Sequence, residues 1–519
     1  MLLLSSLAAA QDLPGGEWSG PFVDKVVFRY FDALDNETPE LLDGSIDAIG
    51  CELSFQETQA FRYNEDIEVH EISGTSFYYF ALNCRRFPTN VTAFRQAFAY
   101  SYNKNSIVDQ YTGQIQAQDS CIPQGSIYHV GPPYEGEFYS QRCEVANVLL
   151  DESGFIDVDH DGYREAPDGS SVAVRIIEYN NETLSYSIAL EAVNALEQLG
   201  IASILDTNDV MLPLQDLHQS PWNMILLQSD FKETQLNWFN YHFHPTYNTS
   251  ANPYWNLEGF DNTQLLLSLL RVNQAQNQSQ AIAHAKEIQR ILINQCPIVP
   301  ICSPVKYYAH RTEEFSNLHT DPFDGILSWW TLFKMSLRPE SGGPYGGSFT
   351  YSLKGNLESI NPLQKPSSAI EQLIVDCLYD RLLITNKDGA DRLRLASKAT
   401  VDYHSTTPDF PIGSTRITIR IRSNAIWTQK SYAVYNLTAS DVASALLYHF
   451  NAEDTYGFTS NSTVRIVCKN YWVLDSLEDF IAFLVSPLGA FIVLPLAVSI
   501  ACSSAYLVFN HDRRVSADR

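Results

Sequence analysis

The stretch VVFRYF, residues 26–31, is followed by LLDGSIDAIG, residues 41–50. The first run is apolar and rich in β-branched and aromatic residues, which is typical of a strand. The second is helix-like and ends at Gly50. Strand and helix patterns alternate in this way through most of the chain, as in the helical spacing of residues 94–110. The sequence therefore predicts α/β lobes in which helices cover sheets.

Length and composition limit the classes of function. A chain of 519 residues is several times longer than a typical single-core domain, so we expect at least two lobes. Hydrophobic residues make up 45% and aromatic residues 12%, which favours packed cores over disorder. The 34 basic and 60 acidic residues give a net charge of -26, which would repel a phosphate backbone. Nucleic acid is therefore not an expected partner.

The chain divides into two blocks. Residues 341–347, SGGPYGG, are rich in glycine and are typical of a linker. The first block covers residues 18–340 and the second covers residues 348–480.

Both ends of the chain suggest export. Residues 1–17 contain a short apolar run that ends in alanines and resembles a secretory signal, although no basic residue precedes it. Residues 488–509 carry no charge and would form a helix about 33 Å long, enough to cross a membrane. Arg513 and Arg514 follow, which places the tail, residues 510–519, on the cytoplasmic side and the rest of the chain outside. The alternative for residues 488–509 is a buried core helix.

Glycosylation sequons and cysteines agree with an exported chain. The sequons have no proline in their middle position and begin at Asn36, Asn90, Asn181, Asn248, Asn277, Asn436 and Asn461. Of the nine cysteines, Cys502 lies inside the expected membrane helix and the others precede it. An even number of outer cysteines favours disulfides, first Cys121 with Cys143 and Cys296 with Cys302.

Several strings of residues together resemble family 5 of the extracellular solute-binding proteins, the oligopeptide and dipeptide receptors of ABC importers. In the first block they are PFVDKVVFRYF (21–31), TAFRQAFAYSYNKNSIV (92–108), CEVANVLLDESGF (143–155), ALEAVNALEQLGI (189–201) and AKEIQRILINQCPIVPI (285–301). In the second block they are GSFTYSLKGNLESINPL (347–363), IVDCLYDRLL (374–383), ITIRIRSNAIW (417–427) and NLTASDVASALLYHF (436–450). The resemblance implies a two-lobed α/β fold of the type II periplasmic-binding-protein class, closing on a ligand between its lobes.

The order of the two blocks departs from the family. The second block resembles the opening of a family member, whereas the first resembles its middle and end. The family's first and last strands lie in one lobe, so a flexible linker could join them and make this chain a circular permutant. The alternatives are a partial tandem or a fusion of fragments from two receptors.

The resemblance also implies a ligand site. In peptide-binding members an aspartate after a buried strand pairs with the ligand's amino terminus, and Asp230 stands at the matching position. Such a pair is a charge-assisted hydrogen bond in a dry cleft. Tyr78, Tyr79 and Trp238 are candidates to line this cleft, although aromatic residues at such spacing also form cores. Asp230 itself has the alternative role of ending a strand.

A separate motif, FIDVDHDGYREAPDG at residues 155–169, predicts a calcium loop. Acidic residues alternate and a glycine follows them, as in EF-hand-like and dockerin-like loops, where hard oxygen ligands surround the cation. The candidate ligands are Asp157, Asp159, Asp161, Tyr163 through its carbonyl, Glu165 and Asp168. The expected role of Ca²⁺ is structural, and the alternative is an acidic surface turn.

The sequence gives no sign of an enzyme. His242 and His244 are spaced to share a metal, yet no third ligand stands at a recognisable spacing, and a chance pair is the simpler interpretation. No phosphate-binding glycine loop is present, so ATP hydrolysis would belong to a partner.

Taken with the resemblance, these features predict a membrane-anchored extracellular receptor that captures peptides for an ABC permease and its ATPase. Oligosaccharides are the alternative ligands, since members of the family bind them too. A surface structural or adhesion protein derived from such a receptor is the alternative from another class.

Overall fold

The structure of the chain is a computed structural model. It describes residues 11–12, 20–32, 37–139, 141–178, 182–207, 221–231, 236, 238–244, 256–275, 278–321, 325–354, 369–378, 381–385, 391–405, 414–423, 426–428, 434–436, 458–460, 463–471 and 504–508.

The described strands and helices alternate through most of the first block. The strands are β1 (Gln11–Asp12), β2 (Lys25–Phe31), β3 (Ile67–Ser73), β4 (Ser76–Leu82), β5 (Ile115–Ala117), β6 (Ala173–Glu178), β7 (Ala202–Thr207), β8 (Met224–Asp230), β9 (Ile298–Arg311), β10 (Phe315–Ser316), β11 (Ser336–Leu337), β12 (Ser348–Lys354), β13 (Leu383–Thr385), β14 (Asp391–Leu393), β15 (Ala396–Ser405), β16 (Ser414–Ile421), β17 (Ile426–Thr428), β18 (Val434–Asn436), β19 (Phe458–Ser460), β20 (Thr463–Tyr471) and β21 (Ser504–Val508). The helices are α1 (Thr38–Asp43), α2 (Phe55–Thr58), α3 (Thr92–Ser101), α4 (Lys104–Gln110), α5 (Cys143–Glu152), α6 (Thr183–Gln198), α7 (Trp238–Phe243), α8 (Thr263–Asn273), α9 (Gln278–Gln295), α10 (Trp329–Lys334) and α11 (Ala369–Leu378). The predicted α/β class is confirmed.

The first lobe, lobe A, is built around β2, β3, β12 and the second half of β9. β12 pairs with β2 in parallel along its whole length, from Ser348 beside Lys25 to Lys354 beside Phe31. β3 pairs antiparallel with β9, and Ala48 bridges β9 to β12. One sheet therefore contains strands from both blocks of the sequence.

The second lobe, lobe B, contains β4 to β8 and the first half of β9. Its strand order is β9, β4, β8, β6, β7, and β5 adds to β9. β6 is parallel to both β7 and β8, whereas β4 is antiparallel to β8 and β9. Helices cover both faces, because α3, α5 and α6 pack on one side and α8 and α9 on the other.

β9 belongs to both lobes. Its residues 298–302 pair with β4 of lobe B, and its residues 305–311 pair with β3 of lobe A. The chain also passes from β3 of lobe A directly to β4 of lobe B through Gly74 and Thr75. Two adjacent extended segments thus connect the lobes.

Two helix predictions need correction at their ends. The helix-like run 41–50 stops being helical after Asp43, because Gly44 adopts a left-handed φ of 80° and caps α1. The predicted helix 94–110 divides at Tyr102 into α3 and α4. The side chain of Asn103 starts α4 by accepting a hydrogen bond from the Ser106 amide at 3.1 Å.

The predicted disulfides are wrong. Cys121, Cys143, Cys296 and Cys302 are all free thiols. Cys296 precedes β9 and Cys302 lies within it, and the extended rise from residue 298 to residue 302 alone is about 13 Å. A disulfide requires Cα atoms within about 7 Å, so this pair cannot form. Cys121 is buried in the core, whereas the Cys143 thiol lies beside Gln198.

Most of the expected membrane helix lies outside the described residues. Of residues 488–509, the structure describes 504–508, and these form β21, paired antiparallel with β20, rather than helix. No helix within the described part of the chain combines the length and apolar character that crossing a membrane requires. The signal-like residues 1–10 and the predicted helix 439–450 also lie outside the described residues.

Candidate functional site

The junction between the lobes is closely packed at Gly74. Its amide donates a hydrogen bond to the Pro304 carbonyl oxygen at 2.8 Å. A Cβ atom at residue 74 would lie 2.5 Å from that same oxygen, so the close approach of the two segments requires glycine. Among the described residues, the backbone crosses between the lobes here and within β9.

A side chain from lobe B spans the junction. The Gln116 amide on β5 donates to the Ser303 hydroxyl on β9 at 3.2 Å and also contacts the Ser73 hydroxyl at the end of β3. Lobe A and lobe B are therefore linked here by polar side chains as well as by backbone.

Asp230 lies at this junction. It is the last residue of β8 and pairs with Ser76, two residues beyond Gly74. The next amide, that of Phe231, donates to the Thr75 carbonyl at 2.9 Å, which fixes the strand end. The Asp230 side chain is exposed. A carboxylate that points into open space where the two lobes meet can accept hydrogen bonds from a cationic ligand group.

The three aromatic residues predicted beside Asp230 do not form one wall. Side chains alternate across a sheet, so Tyr78 shares a face with Asp230, whereas Tyr79 points to the opposite face. Trp238 is on the Tyr79 side, where its indole N–H donates to Ser229 at 2.8 Å. Tyr79 and Trp238 are 1% and 5% exposed. They are packed in the core of lobe B, on the face of the sheet opposite to Asp230.

Tyr78 is also mostly buried, at 6% exposure, within the core of lobe B. Burial, with smaller contributions from Glu182 and Cys302, raises the pKa of its hydroxyl to about 12. It is positioned to support the face that carries Asp230 rather than to line an open cleft.

A buried ion pair that sequence reasoning missed holds the long loop after β5. The Lys104 ammonium lies 2.7 Å from the Asp119 carboxylate, and their side chains are 1% and 0% exposed. Asp119 also accepts from the amides of Gly136 and Phe138 at 2.6 and 2.9 Å. Burial opposes ionisation of Asp119, but Lys104 and these amides outweigh it, so the pKa of the carboxyl lies below its usual value.

Gln289 on α9 holds the same loop from the other side. It accepts from Ser120 at 2.8 Å and from the Val130 amide at 2.9 Å, and it donates to the Tyr128 carbonyl at 2.7 Å. A cavity with room for about one water molecule remains between these groups and Cys121. The loop next to the junction is therefore rigidly attached to lobe B.

Lys104 lies in a recognisable sequence motif, but its spacing in that motif does not indicate that its side chain is buried.

A second missed residue is Glu258. It is 0% exposed, and neither carboxyl oxygen has a hydrogen-bond partner. Burial raises its pKa to about 8 despite the nearby Arg85. Arg85 instead donates to the Leu257 carbonyl at 2.6 Å. Glu258 is therefore a proton-binding group inside lobe B at neutral pH.

The acidic loop brings some of its predicted ligands together. Oxygen atoms of Asp157, Asp159 and Glu165 all lie within 4.8 Å of one another. Gly162 has a φ of 95° and donates its amide to Asp157 at 3.1 Å, which closes the turn. The other Asp157 oxygen is buried without a hydrogen-bond partner. A cation is the kind of group that would satisfy it.

The remaining predicted ligands lie outside this cluster. Asp168 accepts from the Ser170 amide and hydroxyl at 3.0 and 2.6 Å, which forms a separate turn and lowers its pKa. Asp161 accepts from the Tyr163 amide at 2.8 Å. Asp168, at the twelfth position of the pattern, thus lies outside the group formed by Asp157, Asp159 and Glu165. The loop joins helix α5 to strand β6, so it is not flanked by two helices.

His242 and His244 do not form a metal site with a third ligand among the described residues. His242 stacks on Trp238 with ring centroids 4.0 Å apart, and burial lowers its pKa to about 3. This histidine is a neutral core residue.

Comparison with protein families gives one match. Residues 18–257 match the middle part of the bacterial extracellular solute-binding proteins, family 5. This segment contains Gly74, Asp230 and the acidic loop. The match supports the resemblance for the first block. Comparison with curated proteins gives no match.

Several solved structures are similar to this one. They include HbpA2 from Haemophilus parasuis, with 17% identity, a TM-score of 0.48 and coverage of 58% of this chain and 55% of that one. A mannohexaose-bound periplasmic oligopeptide-binding protein from Thermotoga maritima has 20% identity, a TM-score of 0.42 and coverage of 58% and 60%. The oligopeptide-binding protein AppA from Bacillus subtilis, in complex with a nonapeptide, has 15% identity, a TM-score of 0.42 and coverage of 58% and 58%. The chain thus spans less than two thirds of the length of each of these structures.

Proposed function

We propose that the chain is a family 5 solute-binding receptor that captures its ligand between lobes A and B and delivers it to an ABC importer. The observation that carries this proposal is the junction itself. Two extended segments join the lobes at Gly74 and Pro304, and an exposed carboxylate, Asp230, lies beside them. Hinged lobes with a polar group at the hinge suit capture by closure. The family match over residues 18–257 supports the assignment.

The two sequence blocks then form one receptor in permuted order. In support, β12 of the second block pairs with β2 of the first along seven residues. The Thr350 carbonyl of β12 also accepts hydrogen bonds from the amides of Asp47 and Ala48, and the Thr350 amide donates to the Asp47 carboxylate. Without β12, the backbone groups of β2 that now pair with it would lose these partners. A partial tandem or a fusion of fragments remains the alternative account of the block order.

The proposed ligand is a peptide whose amino terminus pairs with Asp230. A charge-assisted hydrogen bond of this kind contributes about 1.5–3 kcal/mol, or roughly a tenfold to hundredfold change in affinity. Oligosaccharides are the second candidate, and a hydroxyl-rich ligand would gain less from the charge of Asp230.

The test is stabilisation by ligand. Peptide mixtures should raise the melting temperature of the full chain by mass action, and D230N should lose most of the shift. D66N is the matched control, because Asp66 is exposed and immediately precedes β3, at the end of the strand away from the junction. A shift with oligosaccharides and none with peptides would select the second candidate. No shift with either would favour the rival function, a structural or adhesion protein of the cell surface.

The location follows from the same proposal. The receptor would lie outside the cell, and permease and ATPase subunits would receive its cargo. A helix at residues 488–509 would hold it in the membrane with residues 510–519 in the cytoplasm, which requires residues 504–508 to leave their pairing with β20. Glycosylation would occur on exposed sequons, and Asn90 is exposed. Protease protection of the tail in sealed membranes would test the orientation.

We also propose that the acidic loop binds a structural Ca²⁺ through Asp157, Asp159 and Glu165. Support comes from the convergence of these carboxylates and from the unpartnered Asp157 oxygen. Carboxylate oxygens are the ligands that Ca²⁺ prefers. The cation would hold the two arms of the turn together.

A further inference from the structure

A second group of potential metal ligands lies in lobe A, on the face of the β3–β9 pair that also carries Ile72 and Tyr308. Glu68 on β3 is directly opposite His310 on β9, and His70 follows Glu68 by two residues. Residues two apart on a strand point to the same face, and directly opposed side chains start about 5 Å apart. The strand register therefore brings these three side chains together.

The distances between the side chains suit a small cation. His70 Nε2 and His310 Nδ1 are 2.9 Å apart and share a hydrogen bond. Glu68 lies 3.9 Å from His70 Nδ1 and 3.9 Å from His310 Nε2. Tetrahedral ligands at 2.0–2.1 Å from zinc lie about 3.3–3.4 Å from one another. Glu68 thus lies nearer the nitrogen of each ring that does not join the hydrogen bond, and one ligand atom from each of the three side chains lies within 4.8 Å of the other two. Rotation of these side chains would therefore bring all three to an ion.

Burial gives this group a closed side and an open side. The side chain of His310 is 5% exposed and that of His70 is 15% exposed, whereas Glu68 is 57% exposed. An ion can enter past Glu68, and water can supply a fourth ligand there. Two imidazoles and one carboxylate suit zinc and similar transition metals better than Ca²⁺ or Mg²⁺, which prefer oxygen ligands.

We propose that Glu68, His70 and His310 bind a divalent transition-metal ion, with zinc as the probe, and that the ion ties β3 to β9 in lobe A. This site differs in position and in ligand chemistry from the acidic loop of lobe B. It also does not depend on the proposed transport function.

A nearby cation sharpens the test. Arg338 acts on His310 electrostatically, although its guanidinium also donates to the Phe315 carbonyl at 3.4 Å. A positive charge beside the site opposes a bound cation. Replacing Arg338 by glutamine should therefore strengthen zinc binding, whereas loss of a ligand should weaken it.

The experiment is isothermal titration of the full chain with zinc chloride after treatment with a chelator. We expect one zinc site that weakens by at least about 100-fold in H310Q and H70Q, weakens less in E68Q, and strengthens in R338Q. D159N in the acidic loop should leave the zinc titration unchanged. Equal zinc affinity in the native chain and in H70Q would overturn the proposal.

Cobalt gives a second readout that does not depend on the stability of H310Q. Co²⁺ in a tetrahedral site with imidazole ligands absorbs visible light far more strongly than octahedral aqueous Co²⁺. We expect this absorption in the native chain and its loss in H70Q, whose side chain is the less buried of the two histidines. Weak absorption of the octahedral type in the native chain would show adventitious binding and would refute the site.

Discussion

Phe349 of β12 lies beside Val26 of β2 in a parallel strand pair, and both side chains pack into one core although they belong to different blocks of the sequence. Phe349 is 0% exposed and contacts Phe315 edge to face, with ring centroids 5.0 Å apart. The glycine-rich linker therefore joins two pieces of one lobe.

Because both sequence blocks contribute to this core, removal of the Phe349 ring should destabilise both blocks together. F349A should lower the free energy of unfolding by about 3–5 kcal/mol, since it leaves a cavity in the core that both blocks build. Urea denaturation followed by circular dichroism and tryptophan fluorescence would measure it. Y345A is the control, because Tyr345 is 70% exposed in the linker and its loss should cost little. Unchanged unfolding in F349A would mean that the blocks fold separately.

Breaking the buried Lys104–Asp119 ion pair should cost more stability than breaking an exposed ion pair. K104M leaves the Asp119 charge buried without its partner, which should cost about 3–5 kcal/mol of stability. Arg29 and Glu40 form a pair at 2.8 Å whose side chains are 44% and 30% exposed, so R29M should cost less than about 1 kcal/mol. Urea midpoints of both variants provide the comparison. Similar losses in the two would contradict the role assigned to the buried pair.

Glu258 predicts a pH dependence with a definite sign. Its carboxyl binds a proton more tightly in the folded chain, where its pKa is about 8, than in the unfolded chain, where it is near 4.5. The stability this provides is complete below pH 4.5 and is lost as pH rises from there to about 8. The loss amounts to roughly 5 kcal/mol by the usual conversion.

The variant E258Q should remove this loss, because glutamine has a similar shape and no charge. It should be more stable than the native chain at pH 8 and should differ little at pH 4. Thermal denaturation across this pH range would measure the difference, with E65Q, at an exposed position, as control. A constant difference between E258Q and the native chain at all pH values would rule out ionisation of Glu258 as the cause.

The packing of Gly74 predicts that the hinge tolerates no side chain. G74A should force β3 and β9 apart at Pro304, which should cost about 1–3 kcal/mol and reduce ligand-induced stabilisation. T75A adds no atoms at the neighbouring position and should change both quantities little. Urea denaturation and thermal shift with peptides would measure them. Native behaviour of G74A in both assays would show that the junction is not the constraint described.

The geometry of the acidic loop predicts that stabilisation by Ca²⁺ depends on some of its acidic residues and not on others. Ca²⁺ should raise the melting temperature of the chelator-treated chain. At a Ca²⁺ concentration 100 times the Kd, the free energy of unfolding should rise by about 2.7 kcal/mol. D159N should abolish this shift. D168N should retain it, because Asp168 caps Ser170 instead of joining the cluster. Loss of the shift in D168N would mean that the twelfth position binds the cation after all.

Local patterns in the sequence identified the strands better than the ends of the helices. The predicted strand 26–31 is β2 within one residue, because β-branched and aromatic residues mark it clearly. The sequence predicted that the helix ends at Gly50, whereas it ends before Gly44. Only the left-handed backbone conformation of Gly44 shows which of the two glycines ends α1. The division of 94–110 at Tyr102 depends on the cap at Asn103, which a periodic pattern does not reveal.

The candidate site was predicted only in part, because its geometry depends on distant residues. Alternation in β4 alone indicates that Tyr78 and Tyr79 point to opposite faces, but which face carries Asp230 is decided by pairing with β8. His70 and His310 stand 240 residues apart and meet only through the register of β3 and β9. The burial of Glu258 likewise has no signal in its sequence neighbourhood.

The pairing of β2 with β12 also sets an order for biosynthesis. Synthesis at about 5–20 residues per second needs roughly 15–60 s to make the intervening 300 or so residues. All strands of lobe B are complete by residue 304, whereas lobe A lacks an interior strand until β12 emerges. During this interval β2 presents an unpaired edge, which is a site of association with other chains. We therefore expect residues 25–31 of a nascent chain to stay exposed to association until β12 has been made.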